Sequence, residues 1–237
     1  MDWLQILGIS VAAGVCTALG AIMLFVKKRW DNGSLAVFLG LASGVMVAVV
    51  LFDMLPSALV FGGWVKTGIG VLSGLVLLAL CDRQLFDRSA ARNSLAALGY
   101  MIMLGIAMHD LPEGMAIALG SEMKARTGMV IALGIGIHNI PEGMAIAAPL
   151  LMAGVKQLRL LGQILLVGLI TPLGTVIGFL AVALLPRLLP FLLGLSSGIM
   201  IYLVLFQLWP QARTKDRRTR WWGFWLGMLI ILAATYI

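Results

Sequence analysis

The segment LASGVMVAVVLFDMLPSA, residues 41–58, returns without a gap as LSSGIMIYLVLFQLWPQA at residues 195–212, with nine of eighteen positions identical at a constant offset of 154. Each copy is an apolar run with one strongly polar residue at the same place, Asp53 in the first and Gln207 in the second. The same offset lays GVCTALGA (14–21) on GLITPLGT (168–175), matching Gly14, Thr17, Leu19 and Gly20 to Gly168, Thr171, Leu173 and Gly174. An offset of 153 then pairs Gly70 and Gly74 with Gly223 and Gly227. Three consecutive stretches near the start of the chain therefore recur, in order, near its end, and self-similarity on this scale marks a duplicated structural unit.

The chain that carries this repeat has 237 residues, 61% of them hydrophobic and 11% charged, with a mean hydropathy of +1.05. That composition excludes an ordinary soluble domain. Eight apolar segments, at 3–26, 35–60, 64–81, 95–120, 129–152, 160–185, 188–209 and 221–237, are each long enough to cross a hydrocarbon core of about 30 Å as a helix. Spans 1 to 3 correspond to spans 6 to 8, so an odd-numbered span always matches an even-numbered one and the triplets cross in opposite senses. The expected fold is an all-α membrane protein of eight transmembrane helices in a 3+2+3 inverted repeat. One transmembrane domain covers residues 1–237: repeat 1 at 3–81, central helices at 95–152 and repeat 2 at 160–237. Such symmetry puts a substrate site near the midplane at the repeat interface.

The net charge of +7 is a topology signal here, not a nucleic-acid footprint, because the connections are short. Connections 1, 3, 5 and 7 hold Lys27, Lys28, Arg29, Arg83, Arg88, Arg92, Lys156, Arg159, Arg213, Lys215, Arg217, Arg218 and Arg220; connections 2, 4 and 6 hold Lys66, Lys124, Arg126 and Arg187. Thirteen against four puts the odd connections in the cytoplasm and, with eight spans, both termini outside. The run RTKDRR (213–218) also suits anionic lipid heads, and Trp209, Trp221, Trp222 and Trp225 suit an interfacial belt. The opening MDWLQILGIS lacks the basic n-region of a cleaved signal peptide, so the first span is expected to stay. Cys16 and Cys81 form no C-x-x-C pair and read as structural.

Spans 4 and 5, between the triplets, carry a second duplication: MHDLPEGMAIALG (108–120) and IHNIPEGMAIAAP (137–149), with eight of thirteen positions identical. On a helix advancing about 100° per residue, with His109 at 0°, Asp110 points to about 100° and Glu113 to about 40°, between the other two. His138, Asn139 and Glu142 repeat that face. If the faces meet, His109, Glu113, His138 and Glu142 surround one cation, while Asp110 and Asn139 offer oxygens to a second with the glutamates as bridges. Pro112 and Pro141 remove a hydrogen bond from the carbonyls of Met108 and Ile137 and predict bent helices beside a cavity. Gly114 and Gly143 allow close helix approach. A charge at the bilayer centre costs about 2.5–3.5 kcal/mol, which favours a functional cluster over a polar network that only joins two helices. Asp53 is either an access or relay carboxylate or an interfacial residue facing water; its repeat partner Gln207 favours a place on the ion pathway, for which Asp53, Thr171 and Gln207 are the candidates. Met54 and Met108 read as packing residues.

H-D-L-P-E-G followed by H-N-I-P-E-G, on the fourth and fifth of eight spans, resembles the ZIP family of divalent-metal transporters, and the match extends over essentially the whole chain. The resemblance implies movement of Zn²⁺, or of Fe²⁺, Mn²⁺, Co²⁺ or Cd²⁺, toward the cytoplasm through a binuclear site between spans 4 and 5. His109, Glu113, His138 and Glu142 would ligate one ion; Asp110 and Asn139, with the bridging glutamates, the other. It further implies alternating access by rocking of the repeats, a homodimer, and a multi-pass protein of a bacterial inner membrane. Many members have a glutamate before the span 6 proline, where this chain has Thr171, and L-L-P-E-A in span 2, where it has MLPSA with Ser57. Their histidine-rich loop between spans 3 and 4 is here CDRQLFDRSAARNS, with no histidine.

Two other classes use similar ligands. A metalloenzyme of the H-E-x-x-H type needs two histidines on one helix turn, which neither motif supplies, and membrane di-iron oxygenases are histidine-rich, whereas this chain has two histidines. No enzyme activity is therefore expected. An efflux carrier or channel for the same ions shares the ligand chemistry and differs in the direction of flux. Imidazole, carboxylate and amide oxygen suit several first-row dications and leave the preferred metal open.

Overall fold

The computed structural model describes residues 2–27, 29–86, 94–181 and 185–236; Lys28, Arg88 and Arg92, expected in cytoplasmic connections, lie outside these. The described residues are almost entirely helical, with no strand among them. In chain order the α-helices are α1 (Trp3–Leu24), α2 (Asn32–Val49), α3 (Leu55–Phe86), α4 (Leu95–Met123), α5 (Ala125–Met152), α6 (Gln157–Gly168), α7 (Ile170–Leu180), α8 (Leu185–Tyr202), α9 (Trp209–Lys215) and α10 (Thr219–Tyr236). The helix starts follow local chemistry. Asp31 caps α2 by accepting the Ser34 N–H at 2.8 Å, and Ser94 Oγ caps α4 by accepting the Ala97 N–H at 3.1 Å; each satisfies a donor that the first turn leaves unpaired. Ser34, through its side chain and its N–H, holds the exposed Asp31 carboxyl below its ordinary range.

Six helical runs are long and apolar enough to cross a membrane: Trp3–Leu24, Asn32–Leu85, Leu95–Met123, Ala125–Met152, Gln157–Leu180 and Arg187–Lys215, with the shorter apolar Thr219–Ala234 besides. Expected spans 2 and 3 fall in the single run Asn32–Leu85, 54 residues long and interrupted at Gly63, where φ is 69° and ψ 179°, backbone angles that favour glycine. Two π-helical turns, Val50–Met54 and Leu203–Leu208, link α2 to α3 and α8 to α9. Their wide hydrogen bonds run from the Leu55 N–H to the Val50 carbonyl and from the Trp209 N–H to the Val204 carbonyl. Each turn precedes a proline, Pro56 or Pro210, which removes a ladder donor; π turns often mark functional positions.

Glycines bring the helices together backbone to backbone. A Cβ on Gly14 would overlap the Gly168 carbonyl oxygen, and one on Gly168 would overlap that of Gly14. Gly20 and Gly143 place α1 and α5 in the same relation, against Ile140 O and Thr17 O; Gly174 and Gly114 do so for α7 and α4, against Leu111 O and Thr171 O. Gly40, Gly44, Gly223 and Gly227 knit α2 to α10, as Gly70, Gly74, Gly194 and Gly198 knit α3 to α8. Without side chains in these seams, membrane helices gain dispersion contact over their backbones.

Two bundles result. In one, α4 and α5 pack on each other and on α1, α6 and α7; in the other, α2 packs on α10 and α3 on α8. Contacts of α4 with α8 and of α2 with α5 join them. At one end of the second bundle Trp209, Trp221, Phe224 and Trp225 form an aromatic cluster with the Arg220 guanidinium 4.3 Å from the Trp209 ring centre. Both cysteines are free.

Because a methyl group at Gly14 meets backbone on the opposing helix, Gly14→Ala is expected to destabilise the fold by about 1–3 kcal/mol. Gly68→Ala, where nothing lies within 4 Å of the added carbon, serves as the control and should melt at or slightly above the wild-type temperature in detergent.

Candidate metal transport site

Helices α4 and α5 run unbroken through Pro112 and Pro141, and their mutual packing turns the two motif faces inward. His109, Asp110, Glu113, His138, Asn139 and Glu142 are all buried, none more than 4% exposed. His109 Nε2 lies 3.4 Å from Glu142 Oε2 and 3.6 Å from Asp110 Oδ1, and His138 Nε2 lies 3.2 Å from Glu113 Oε2. Ligand atoms of His109, Asp110 and Glu113 fall within 4.8 Å of one another, a group that small side-chain shifts would bring around one Zn²⁺ at about 2.0–2.2 Å. These distances bring His109, Asp110, Glu113, His138 and Glu142 to one place, and Asn139 is buried beside His138 in the chain.

The hydrogen bonding around His109 defines what that place accepts. His109 Nδ1 is 3.0 Å from the Gly105 carbonyl oxygen, and a carbonyl only accepts, so Nδ1 carries the proton. In the neutral ring Nε2 then presents a lone pair toward Glu142 and Asp110 oxygens that present lone pairs as well. Acceptor faces acceptor, a repulsive arrangement that a cation between them turns into an attractive one. The same fixed Nδ1–H orients a metal-ligating imidazole. Among the described residues, His109 Nε2, both Asp110 oxygens, Glu113 Oε1, Asn139 Oδ1, both Glu142 oxygens and Thr171 Oγ1 are buried with no hydrogen-bond partner. Buried polar atoms are rarely left so, and a cluster of them aimed inward fits a dication.

A cavity of ≈ 270 Å³ leads to this cluster. Glu113 and His138 are in its lining, with Asp53 and Ser57; Phe61, Met123, Thr127 and Leu189 line it toward the ends of helices served by connections 2, 4 and 6. Asp53, left open between two roles by the sequence, therefore faces the cavity. The π turn Val50–Met54 holds it there, and Met54 is also in the lining. Gln207 behaves differently: its Nε2 donates to Asp82 Oδ2 at 2.8 Å, and the Tyr202 hydroxyl donates to the same oxygen at 2.7 Å. Neither Gln207 nor Asp82 lines the cavity.

Sequence reasoning missed three things here. Asp82 is buried although it stands at the end of an apolar span, its partners 120 and 125 residues away in the chain. Ser196 Oγ donates to the His109 carbonyl at 3.2 Å and ties α8 to the motif helix. Asn139 uses its amide nitrogen on the Ala13 carbonyl at 3.0 Å, which orients its oxygen. Only the identity of Asp82 as an acid near a span end was visible beforehand; the partners of all three come from helix packing.

A family model described as ZIP Zinc transporter matches residues 84–235. The chain belongs to the ZIP family. It is 33% identical to the Zinc transporter ZupT of Corynebacterium glutamicum over 94% of this chain and 95% of that protein. It is 34% identical to the Zinc transporter ZupT of Xanthomonas axonopodis pv. citri over 87% and 84%, and 31% identical to the Zinc transporter ZTP29 of Arabidopsis thaliana over 87% and 84%. With its long apolar helices, this ZIP protein is a multi-pass integral membrane protein of the bacterial inner membrane.

Metal binding here requires unprotonated imidazole and ionised carboxylate, so protons compete with it. Free imidazole titrates near pH 6.5; the Zn²⁺ dissociation constant, measured calorimetrically in detergent, should rise at least about tenfold from pH 7.5 to 5.5. A constant affinity over that range would contradict ligation by these side chains.

Proposed function

We propose that the chain carries Zn²⁺, or a related first-row dication, toward the cytoplasm by alternating access through the site between α4 and α5. The observation that carries this reading is the buried set of inward-facing lone pairs on His109, Asp110, Glu113, Asn139 and Glu142, joined to a cavity that reaches Glu113 and His138. The names of the relatives, all zinc transporters, support Zn²⁺ as cargo. The two faces support binuclear occupancy: His109, Glu113, His138 and Glu142 for one ion, Asp110 and Asn139 with the glutamates for the second.

The eight-span topology supports the direction. Fifty-four residues between Asn32 and Leu85 extend to about 81 Å at 1.5 Å per residue, far beyond one bilayer crossing, so this run crosses twice with its reversal at Gly63. Connections 2, 4 and 6 then share one face, poor in Lys and Arg, which is the outer one. The cavity opens to that face. Zn²⁺ from outside meets Asp53 and Ser57 first, is taken by Glu113 and His138, and passes to His109 and Glu142, which the cavity does not reach.

The inverted repeat gains support from the glycine contacts: residues paired by the offset of 154, or of 29 between the motifs, meet equivalent partners, as Gly20 with Ile140 and Gly174 with Leu111 do. Repeat 1, 3–81, contributes α1 to one bundle and α2 and α3 to the other. The bodies that move against each other are therefore the two bundles, not the contiguous repeats, and the site-bearing bundle carries the ion.

The test is initial ⁶⁵Zn²⁺ influx into proteoliposomes containing wild type, His109→Ala, Glu113→Ala or His138→Ala, each matched for folding and insertion. Wild type should conduct, and each variant should lose at least about tenfold, the scale of a lost metal contact. Equal flux in wild type and variants would make the cluster a structural brace, and flux only out of the cytoplasmic face would make the chain an efflux carrier.

A further inference from the structure

Thr17, on α1, has no part in the doubled motif, yet it is fully buried and its hydroxyl has no hydrogen-bond partner. Among the buried hydroxyls, those of Thr67 and Thr171 share this condition, but others do not. Ser43, Ser197 and Thr175 each donate to the carbonyl four residues earlier, at 2.7, 2.8 and 3.2 Å, the usual resort of a hydroxyl inside a helix. For Thr17 that acceptor is Ala13 O, which already takes the Asn139 amide at 3.0 Å in addition to the helical N–H of residue 17. A carbonyl has two lone pairs, so this one is saturated and the Thr17 hydroxyl is left over.

The position of that leftover group is what matters. Thr17 matches Thr171 at the repeat offset of 154, and Thr171 is also fully buried with an unpartnered hydroxyl. Gly143, next to Glu142, packs on the Thr17 carbonyl; Gly114, next to Glu113, packs on the Thr171 carbonyl. The backbone of each threonine therefore packs on a motif helix one residue past its glutamate, Thr17 on α5 and Thr171 on α4. Asn139, by spending its nitrogen on Ala13, leaves its oxygen free, as both oxygens of Asp110 are.

We propose that the Thr17 hydroxyl, paired across the site with that of Thr171, is a ligand of the second Zn²⁺ position, completing an oxygen set with Asp110, the Asn139 amide oxygen and the glutamates. This deepens the transport-site reading and rests on it. The ligand set has a consequence. The His109 position offers nitrogen to Zn²⁺, whereas the threonine side offers oxygen alone, three of them neutral, and such a set suits harder dications and holds Zn²⁺ less firmly. The second position is accordingly the weaker and more readily emptied of the two.

The experiment is calorimetric Zn²⁺ titration of the purified full chain in detergent, comparing wild type, Thr17→Val, Thr17→Ser and His109→Ala. Thr17→Val keeps the shape and removes the hydroxyl. Wild type should bind two ions, a tighter and a weaker; Thr17→Val should weaken the second event at least about tenfold and leave the first unchanged, and Thr17→Ser should restore it. A direct readout uses Thr17→Cys in a Cys16→Ser, Cys81→Ser background: Cd²⁺ bound at the second position should produce an ultraviolet thiolate-to-metal charge-transfer band. Two unaltered binding events in Thr17→Val, or no such band with Cd²⁺ bound, would overturn the assignment of Thr17 alone. Zn²⁺ binding identical in wild type and His109→Ala would overturn the site reading beneath it.

Discussion

An ionised carboxylate held among hydrocarbon chains loses its hydration, and at the centre of a bilayer that loss is about 2.5–3.5 kcal/mol per charge on insertion scales. Asp110, Glu113 and Glu142 are all buried within apolar helices; together they burden the fold by about 10 kcal/mol, the whole net stability of a typical domain. Their surroundings do little to relieve this. Apart from Glu113 Oε2, which His138 Nε2 approaches at 3.2 Å, their oxygens lack a hydrogen-bond donor, and a neutral His109 ring would direct a lone pair at two of them. A cation in their midst relieves all of these contacts at once, and the rest of the architecture serves to bring it there and to keep the ligands close.

Closeness comes from glycine. The seams of α1 with α5 and of α4 with α7 run through Gly143 and Gly114, each one residue after a motif glutamate. A side chain at either position would push the helices apart and with them the cluster. The same device assembles the second bundle, where α2 meets α10 and α3 meets α8. Fewer backbone approaches join the bundles, through α4 with α8 and α2 with α5, and there the Ser196 bond to the His109 carbonyl crosses between them. A rigid ligand-bearing unit beside a rigid partner, with the cavity at their junction, suits a carrier that exposes one site to two sides in turn.

Much of this was legible in the chain because it depends on spacing alone. The four-residue separation of histidine and glutamate on successive helices picked out the residues that the structure buries together, and the offset of 154 paired the glycines that meet backbone on other helices. What escaped notice depends on neighbours distant in sequence. Asp53 and Gln207 occupy equivalent positions, yet one faces the cavity and the other is held by Asp82, a carboxylate without an equivalent in the matched segments. The π turns before Pro56 and Pro210 leave no periodic trace, and the break at Leu169 divides what reads as one span into α6 and α7. The Thr17 hydroxyl became conspicuous only once Asn139 was seen to occupy its acceptor.

The central claim is that the doubled motif holds the transported ion, and anomalous X-ray diffraction at the zinc edge, from crystals of the Zn²⁺-loaded protein, tests it most directly. The account predicts an anomalous peak between α4 and α5 at about 2.0–2.2 Å from His109 Nε2 and from glutamate oxygens of the cluster. A well-diffracting Zn²⁺-soaked crystal with no peak there, or with zinc only at surface carboxylates, would contradict it.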